Sequence, residues 1–145
     1  MEKIAVKILR EGAKLPTYGS CEAAGADLYA CLEAELTIQP GQTAFIPTGF
    51  AMAVPKGCAG LIYARSGMAC KRDLAPANKV GVIDSDYRGE VMVALHNHGT
   101  EVQTVCHGER VAQLLVTAVL APAFEETDEL DETVRGDGGF GSTGR

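Results

Sequence analysis

Apolar and polar residues alternate at the start of the chain, in KIAVKILR (3–10), with the period of a strand that turns one face to a core and the other to water. Further short runs rich in β-branched, aromatic or aliphatic residues follow: GADLYACL (25–32), TAFIPTGFAMAV (43–54), AGLIYA (59–64), GVID (81–84), GEVMVALHN (89–97), EVQTVC (101–106) and RVAQLLVTAVLA (110–121). Turn-forming clusters such as QPGQ, PKG, DSDYRG, HNHG and HGE separate most of them. Many short strands at close spacing predict an all-β sandwich or jelly roll. The one helical pattern is brief, SGMACKRDL (66–74). GVID, the turn DSDYRGE and VMVAL together read as a β-hairpin with two aspartates and a tyrosine at its mouth.

Composition narrows the class. With 145 residues, 46% hydrophobic and 22% charged, the chain suits one domain. A domain of that size buries about 68–70% of its unfolded surface. The net charge of −6 argues against a broad nucleic-acid surface, and no nucleic-acid partner is expected. A small anion remains compatible, given a local cluster of arginine and backbone N–H groups and a divalent cation to offset its charge. No apolar run approaches the roughly 20 residues of a membrane span. The first ten residues lack the pattern of a secretory leader, so a cytoplasmic protein is expected. Five cysteines without C-x-x-C spacing read as reduced thiols. His96 and His98 would share a strand face, but with no acidic or thiol partner nearby in sequence they read as a strand end rather than a metal pair.

The composition changes after VLAPAF. EETDELDETV (125–134) carries six acidic residues between Glu125 and Glu132 and little that could pack, so it reads as a solvated tether. RGDGGFGSTGR (135–145) then closes the chain with five glycines. Formally, GDGGFG fits G-x-G-x-x-G, but it has neither the preceding strand nor the following helix that a dinucleotide site requires. It reads instead as a flexible lid. Its N–H groups and small hydroxyls suit phosphate oxygens, Arg135 suits a terminal phosphate, and Phe140 suits an aromatic base. The expected organisation is a domain over 1–124, a tether over 125–134 and a lid arm over 135–145.

Four more segments interrupt the strand pattern with chemistry. AGADLYA places Asp27 in an otherwise apolar strand, where a carboxylate is costly unless something satisfies it. YARSGMA offers a cation, a hydroxyl and open N–H groups where a strand gives way to a helix, although Ser66 as a simple N-cap explains it equally well. In NKVGVIDSDYRGEV, Asp84 ends a strand where it could hold a water and take its proton, and Tyr87 offers a flat face to a sugar. In GERVAQLLV, Gln113 sits inside an apolar strand and needs a hydrogen-bond partner.

In this order AGADLYA, ARSGMA, GVIDSDYRGE, GERVAQLL and RGDGGFGSTG resemble the five motifs of the trimeric dUTP pyrophosphatases, over about residues 15 to 144. Two positions depart from the usual pattern: Ala64, where proline commonly precedes the arginine, and Ala26, often a larger residue. Neither removes a polar group. The resemblance implies a distorted jelly roll of β-clip type, assembled as a homotrimer whose active sites each draw on three subunits. It implies hydrolysis of dUTP to dUMP and pyrophosphate with Mg²⁺, limiting uracil in DNA and supplying dUMP. By the same resemblance Asp84 orients the attacking water, and Asp27 holds the magnesium through its water shell. Arg65, Ser66, Gly67 and Gln113 bind phosphates. Asn78, Val82, Ile83 and Met92 read uracil, and Tyr87 packs on the sugar. Arg135 clamps the γ-phosphate, Phe140 covers the base, and Gly141, Ser142 and Thr143 complete the arm's contacts. Two alternatives stay open: a dCTP deaminase of the same fold, and a dUTP-sensing regulatory protein.

Overall fold

The computed structural model describes residues 3–140. Twelve strands and one helix follow in the order β1 (Val6–Ile8), β2 (Thr17–Tyr18), β3 (Ala26–Tyr29), β4 (Leu36–Ile38), β5 (Thr43–Pro47), β6 (Phe50–Met52), β7 (Cys58–Tyr63), α1 (Ser66–Arg72), β8 (Leu74–Pro76), β9 (Gly81–Ile83), β10 (Met92–Asn97), β11 (Gln103–Val105) and β12 (Arg110–Ala118). The all-β jelly-roll expectation holds. A five-stranded sheet runs β2-β3-β12-β7-β9, a three-stranded sheet runs β5-β10-β8, and β1-β6 and β11-β4 form two-stranded ribbons. Every pairing is antiparallel.

The core lies between these sheets and is made of their inward-facing alternate residues. Leu28, Ile46, Phe50, Leu74, Leu95, Val105 and Val111 are fully buried. Two buried polar side chains are satisfied by backbone. Thr48 Oγ1 donates to Val91 O at 2.7 Å, and Asn97 Nδ2 donates to Ile38 O at 3.0 Å and Glu101 O at 2.8 Å. An unmet group in either place would cost about 1–3 kcal/mol.

Three local expectations need correction. The run 43–54 is two strands, because Gly49 at φ +78° breaks it. The helix stops at Arg72, where Asp73 takes the left-handed conformation (φ 52°) as C-cap, and Leu74 opens a strand instead. Most consequentially, residues 81–97 are not a hairpin. β9 pairs with β7 in the large sheet, whereas β10 pairs with β5 and β8. The eight residues between them (84–91) are too many for a tight turn, and they carry the chain from one sheet to the other.

Candidate active site

The divergence of β9 from β10 opens a slot. Its cleft, about 200 Å³, is lined by Asn78, Gly81, Val82, Ile83, Asp84, Tyr87, Glu90 and Met92, with Ile62 and Val91 behind. β9 is the edge of its sheet, so its outer backbone edge has no strand partner. On the β8 side, β10 is paired from Leu95 to Asn97 and Ala94 O accepts from Ala77 N at 2.7 Å, so among the described residues only its first residues, Met92 and Val93, are likewise open. Two unpaired backbone edges face across a narrow gap, where a flat ring with in-plane donors and acceptors can bond to main chain. Asn78 is placed there by a tight turn whose next residue, Lys79, adopts φ 64°.

Asp84 follows directly on β9 and is exposed at the slot's mouth. Tyr87 is half-exposed, and its hydroxyl donates to Glu90 O at 3.0 Å, which folds the ring back along the loop. Gly89 permits this. A Cβ at that position would run into the phenol oxygen and ring of Tyr87. The loop is itself clasped to the body of the domain by Glu90. Its carboxylate accepts from Arg10 Nε and Nη2, each at 2.9 Å, and from Gly49 N at 2.9 Å. The Arg10 hydrogen bond is the main reason the Glu90 carboxyl is held below its ordinary range.

A second pocket of about 220 Å³ is lined by Asp27, Arg65, Ser66, Gly67 and Gln113. Cross-strand register brings them together: Gln113 lies opposite both Asp27 on β3 and Tyr63 on β7, and β7 leads straight to Arg65. Asp27 is satisfied by Arg65, whose Nε donates to Oδ1 at 2.7 Å. Arg110 Nη1 reaches the other oxygen at 3.3 Å. Gln113 Nε2 donates to Ala64 O at 2.8 Å, which leaves its second amide hydrogen for the pocket. Gly25 makes room for it, since a Cβ there would come within 2.5 Å of Gln113 Oε1. Ser66 is not the N-cap. Arg65 occupies that position without a side-chain cap bond, and the Ser66 hydroxyl makes no hydrogen bond among the described residues. The sequence reading missed Arg110, Glu90 and Arg10.

The two pockets share no lining residue, so among the described residues the slot and the second pocket are separate cavities. Beyond Ala118 the described chain has no further strand or helix, and Leu120, Phe124, Leu130, Val134 and Phe140 are each at least 85% exposed. Arg135 is also exposed. Gly141, Ser142 and Thr143 lie outside the described residues.

Residues 11–144 match the family model dUTPase. The chain belongs to the dUTPase family. It is 52% identical to a deoxyuridine 5'-triphosphate nucleotidohydrolase of Desulfitobacterium hafniense, over 99% of both chains. A protein of the same name from Syntrophotalea carbinolica is 46% identical, over 97% of this chain and 96% of that one. Among solved structures, a Staphylococcus bacteriophage 80alpha dUTPase with dUPNHPP superposes with a TM-score of 0.91 at 25% identity, covering all of both chains. A mutant dUTPase of phage phi11 of S. aureus, described for its coordination of a structural Mg(II) ion, shares the fold (TM-score 0.78, 23% identity, 88% of this chain and 98% of that one). Within the dUTPase fold of this chain, no helix among the described residues is long and apolar enough to cross a membrane.

Proposed function

We propose that this chain hydrolyses dUTP to dUMP and pyrophosphate, and that it does so as a homotrimer in which slot, anion pocket and arm at one site come from different subunits. The observation that carries the reading is the open-edged slot with Asp84 at its mouth, in a chain that belongs to the dUTPase family.

Uracil enters between β9 and β10 and bonds to backbone near Val82, Ile83 and Met92 and to the Asn78 amide. Cytosine reverses a donor and an acceptor there and leaves buried groups unpaired, a mismatch worth about 10⁴ in discrimination. The Tyr87 ring, fixed by its bond to Glu90 O, covers the deoxyribose and leaves a ribose 2′-hydroxyl without a partner. Asp84 orients a water and takes its proton as the water oxygen attacks the α-phosphorus. The bond from that phosphorus to the bridging oxygen breaks, and pyrophosphate leaves with the electron pair. Arg65 holds Asp27 through Nε, so its terminal nitrogens are left to phosphate oxygens, with Ser66, Gly67 and Gln113 beside them.

Magnesium fits this site as an ion carried by the triphosphate. Among the described residues no group of three or more His, Cys, Asp or Glu could cage a metal, and Asp27 is the only carboxylate lining the anion pocket. A single acidic side chain suits an ion that keeps several waters and bonds mainly to phosphate. When bound, it would neutralise charge developing on the phosphate oxygens. The arm, from Arg135 through Phe140, Gly141, Ser142 and Thr143, closes over the nucleotide. Phe140 packs against nothing among the described residues, and substrate with neighbouring subunits offsets the entropy of ordering the arm. A pyrophosphate-release assay across dUTP, dTTP, dCTP and UTP, with and without Mg²⁺, tests the reading. Comparable turnover of dUTP and dCTP would defeat it.

A further inference from the structure

We infer that Arg110 is a positioning residue for the phosphate end of the site, anchoring Asp27 by its second oxygen so that the carboxylate keeps its place when phosphate draws on the terminal nitrogens of Arg65. The inference rests on the function proposed above and extends it to a residue outside the slot and pocket linings.

The first observation is a defect in the sheet. Where β12 pairs with β3, Arg110 lies opposite Tyr29, but Ala112 lies opposite Leu28 and Gln113 opposite Asp27, with a register shift between Arg110 and Ala112. In a regular strand, residues three apart point to opposite faces. The extra residue of a bulge shifts that alternation by one, so Arg110 and Gln113 both fall on the face of Asp27 and Tyr29. Burial agrees, since Val111 and Ala112 are buried in succession while Arg110 and Gln113 are not. Bulges recur where a side chain has to be re-aimed beside a site.

The second observation is what Arg110 is aimed at. Asp27, with 15% of its side chain exposed, receives Arg65 Nε on Oδ1 at 2.7 Å and Arg110 Nη1 on Oδ2 at 3.3 Å. One carboxylate between two guanidiniums gives the cluster a net charge of +1. Arg65 is the more buried cation and lines the anion pocket; Arg110 is half-exposed and does not. An arriving polyphosphate takes the terminal nitrogens of Arg65 and draws on the guanidinium whose Nε holds Asp27. Without a second cation, a shift of Arg65 toward phosphate would carry Asp27 with it. Arg110 resists that shift because it holds the other oxygen. Outer partners that orient a metal-facing carboxylate act this way, and losing one weakens the metal rather than the ligand it rides on.

The test uses the full-length protein with Arg110→Gln and Arg110→Lys. Binding of a non-hydrolysable dUTP analogue is measured by calorimetry in Mg²⁺ and in EDTA, alongside turnover against Mg²⁺ concentration. Arg110→Gln is expected to leave EDTA binding within about twofold, while the gain in affinity from Mg²⁺ falls about tenfold and half-maximal turnover needs about tenfold more Mg²⁺. Arg110→Lys should restore part of both, since it supplies charge without the planar fork. Asp27→Asn should lose the same Mg²⁺ gain, and adding Arg110→Gln to it should cost nothing further. Equal weakening in Mg²⁺ and EDTA, or full additivity with Asp27→Asn, overturns the inference while leaving the enzyme reading intact. A parent protein that does not turn over dUTP overturns both.

Discussion

Glu90 is the clearest place to test how the loop between β9 and β10 is held. Its carboxylate accepts a two-pronged bond from Arg10 and a third from the part-buried Gly49 N–H, while its backbone oxygen receives Tyr87. Glu90→Gln keeps an oxygen for Gly49 and removes the charge. An ion pair with a solvent-exposed arginine is screened by water, so only a small loss is expected from this change. Glu90→Ala also strands the Gly49 donor, adding about 1–3 kcal/mol for an unmet buried group. The two variants should therefore differ by more than the first differs from the parent. Urea unfolding at matched protein concentration reads this directly, because the stability of any oligomer varies with concentration and the midpoint shifts by the lost free energy divided by the slope. The pH dependence has a fixed sign. The folded carboxyl is held below its ordinary range, so its stabilisation is complete above the unfolded pKa of about 4.3 and disappears as pH falls through the folded value. Parent and Glu90→Gln should converge on acidification. Equal losses for Gln and Ala at neutral pH, or a Gln deficit that persists at acid pH, would refute the clasp.

Three further outcomes are expected. Asp84→Asn should cut turnover by about 10²–10⁴ while calorimetry shows the dUTP analogue still bound, as loss of a general base requires. Truncation before Arg135 should abolish most hydrolysis and leave the unfolding midpoint and the oligomer on a sizing column unchanged, since no described strand extends beyond Ala118. Gly89→Ala should push Tyr87 off Glu90 O, raising KM for dUTP and narrowing the preference over UTP, with little loss of stability because the loop is exposed.

Much of the fold was legible because half-buried strands write their period into the chain. The runs around Asp27, Ile62, Leu95 and Leu114 all became strands, and the short helix appeared after Arg65. Residues of the quoted motifs line both pockets. What escaped the reading depends on pairing partners, which a strand pattern does not name. β9 and β10 look like the two arms of a hairpin, yet each fits a different sheet, and only three-dimensional register tells which. Asp73 ends the helix in a conformation usually left to glycine, so the boundary carried no strong signal. Arg110 left a faint one. The adjacent Val111 and Ala112 in RVAQL break the alternation at that point, which is what a bulge does to a strand.

These exceptions have a common physical cause. A backbone group paired in a sheet has spent its hydrogen bond, and a side chain in regular alternation points where the period sends it. A paired, regular strand therefore lends a ligand little beyond one face. Groups for chemistry come free where pairing stops: at the outer edge of β9, along the first residues of β10, and at the bulge that re-aims Arg110. Each interruption leaves polar groups that are tolerable only because water, an ion pair or a ligand meets them. Asp27 shows the requirement most plainly. Two arginines, the N-cap of α1 and the first residue of β12, hold it within the single chain, so the pocket's ion pairs are already formed. The slot is likewise formed, clasped by Glu90 and Arg10. Because the two are preformed and separate, the trimer proposed above would have only to bring them together, with the arm left to close over both.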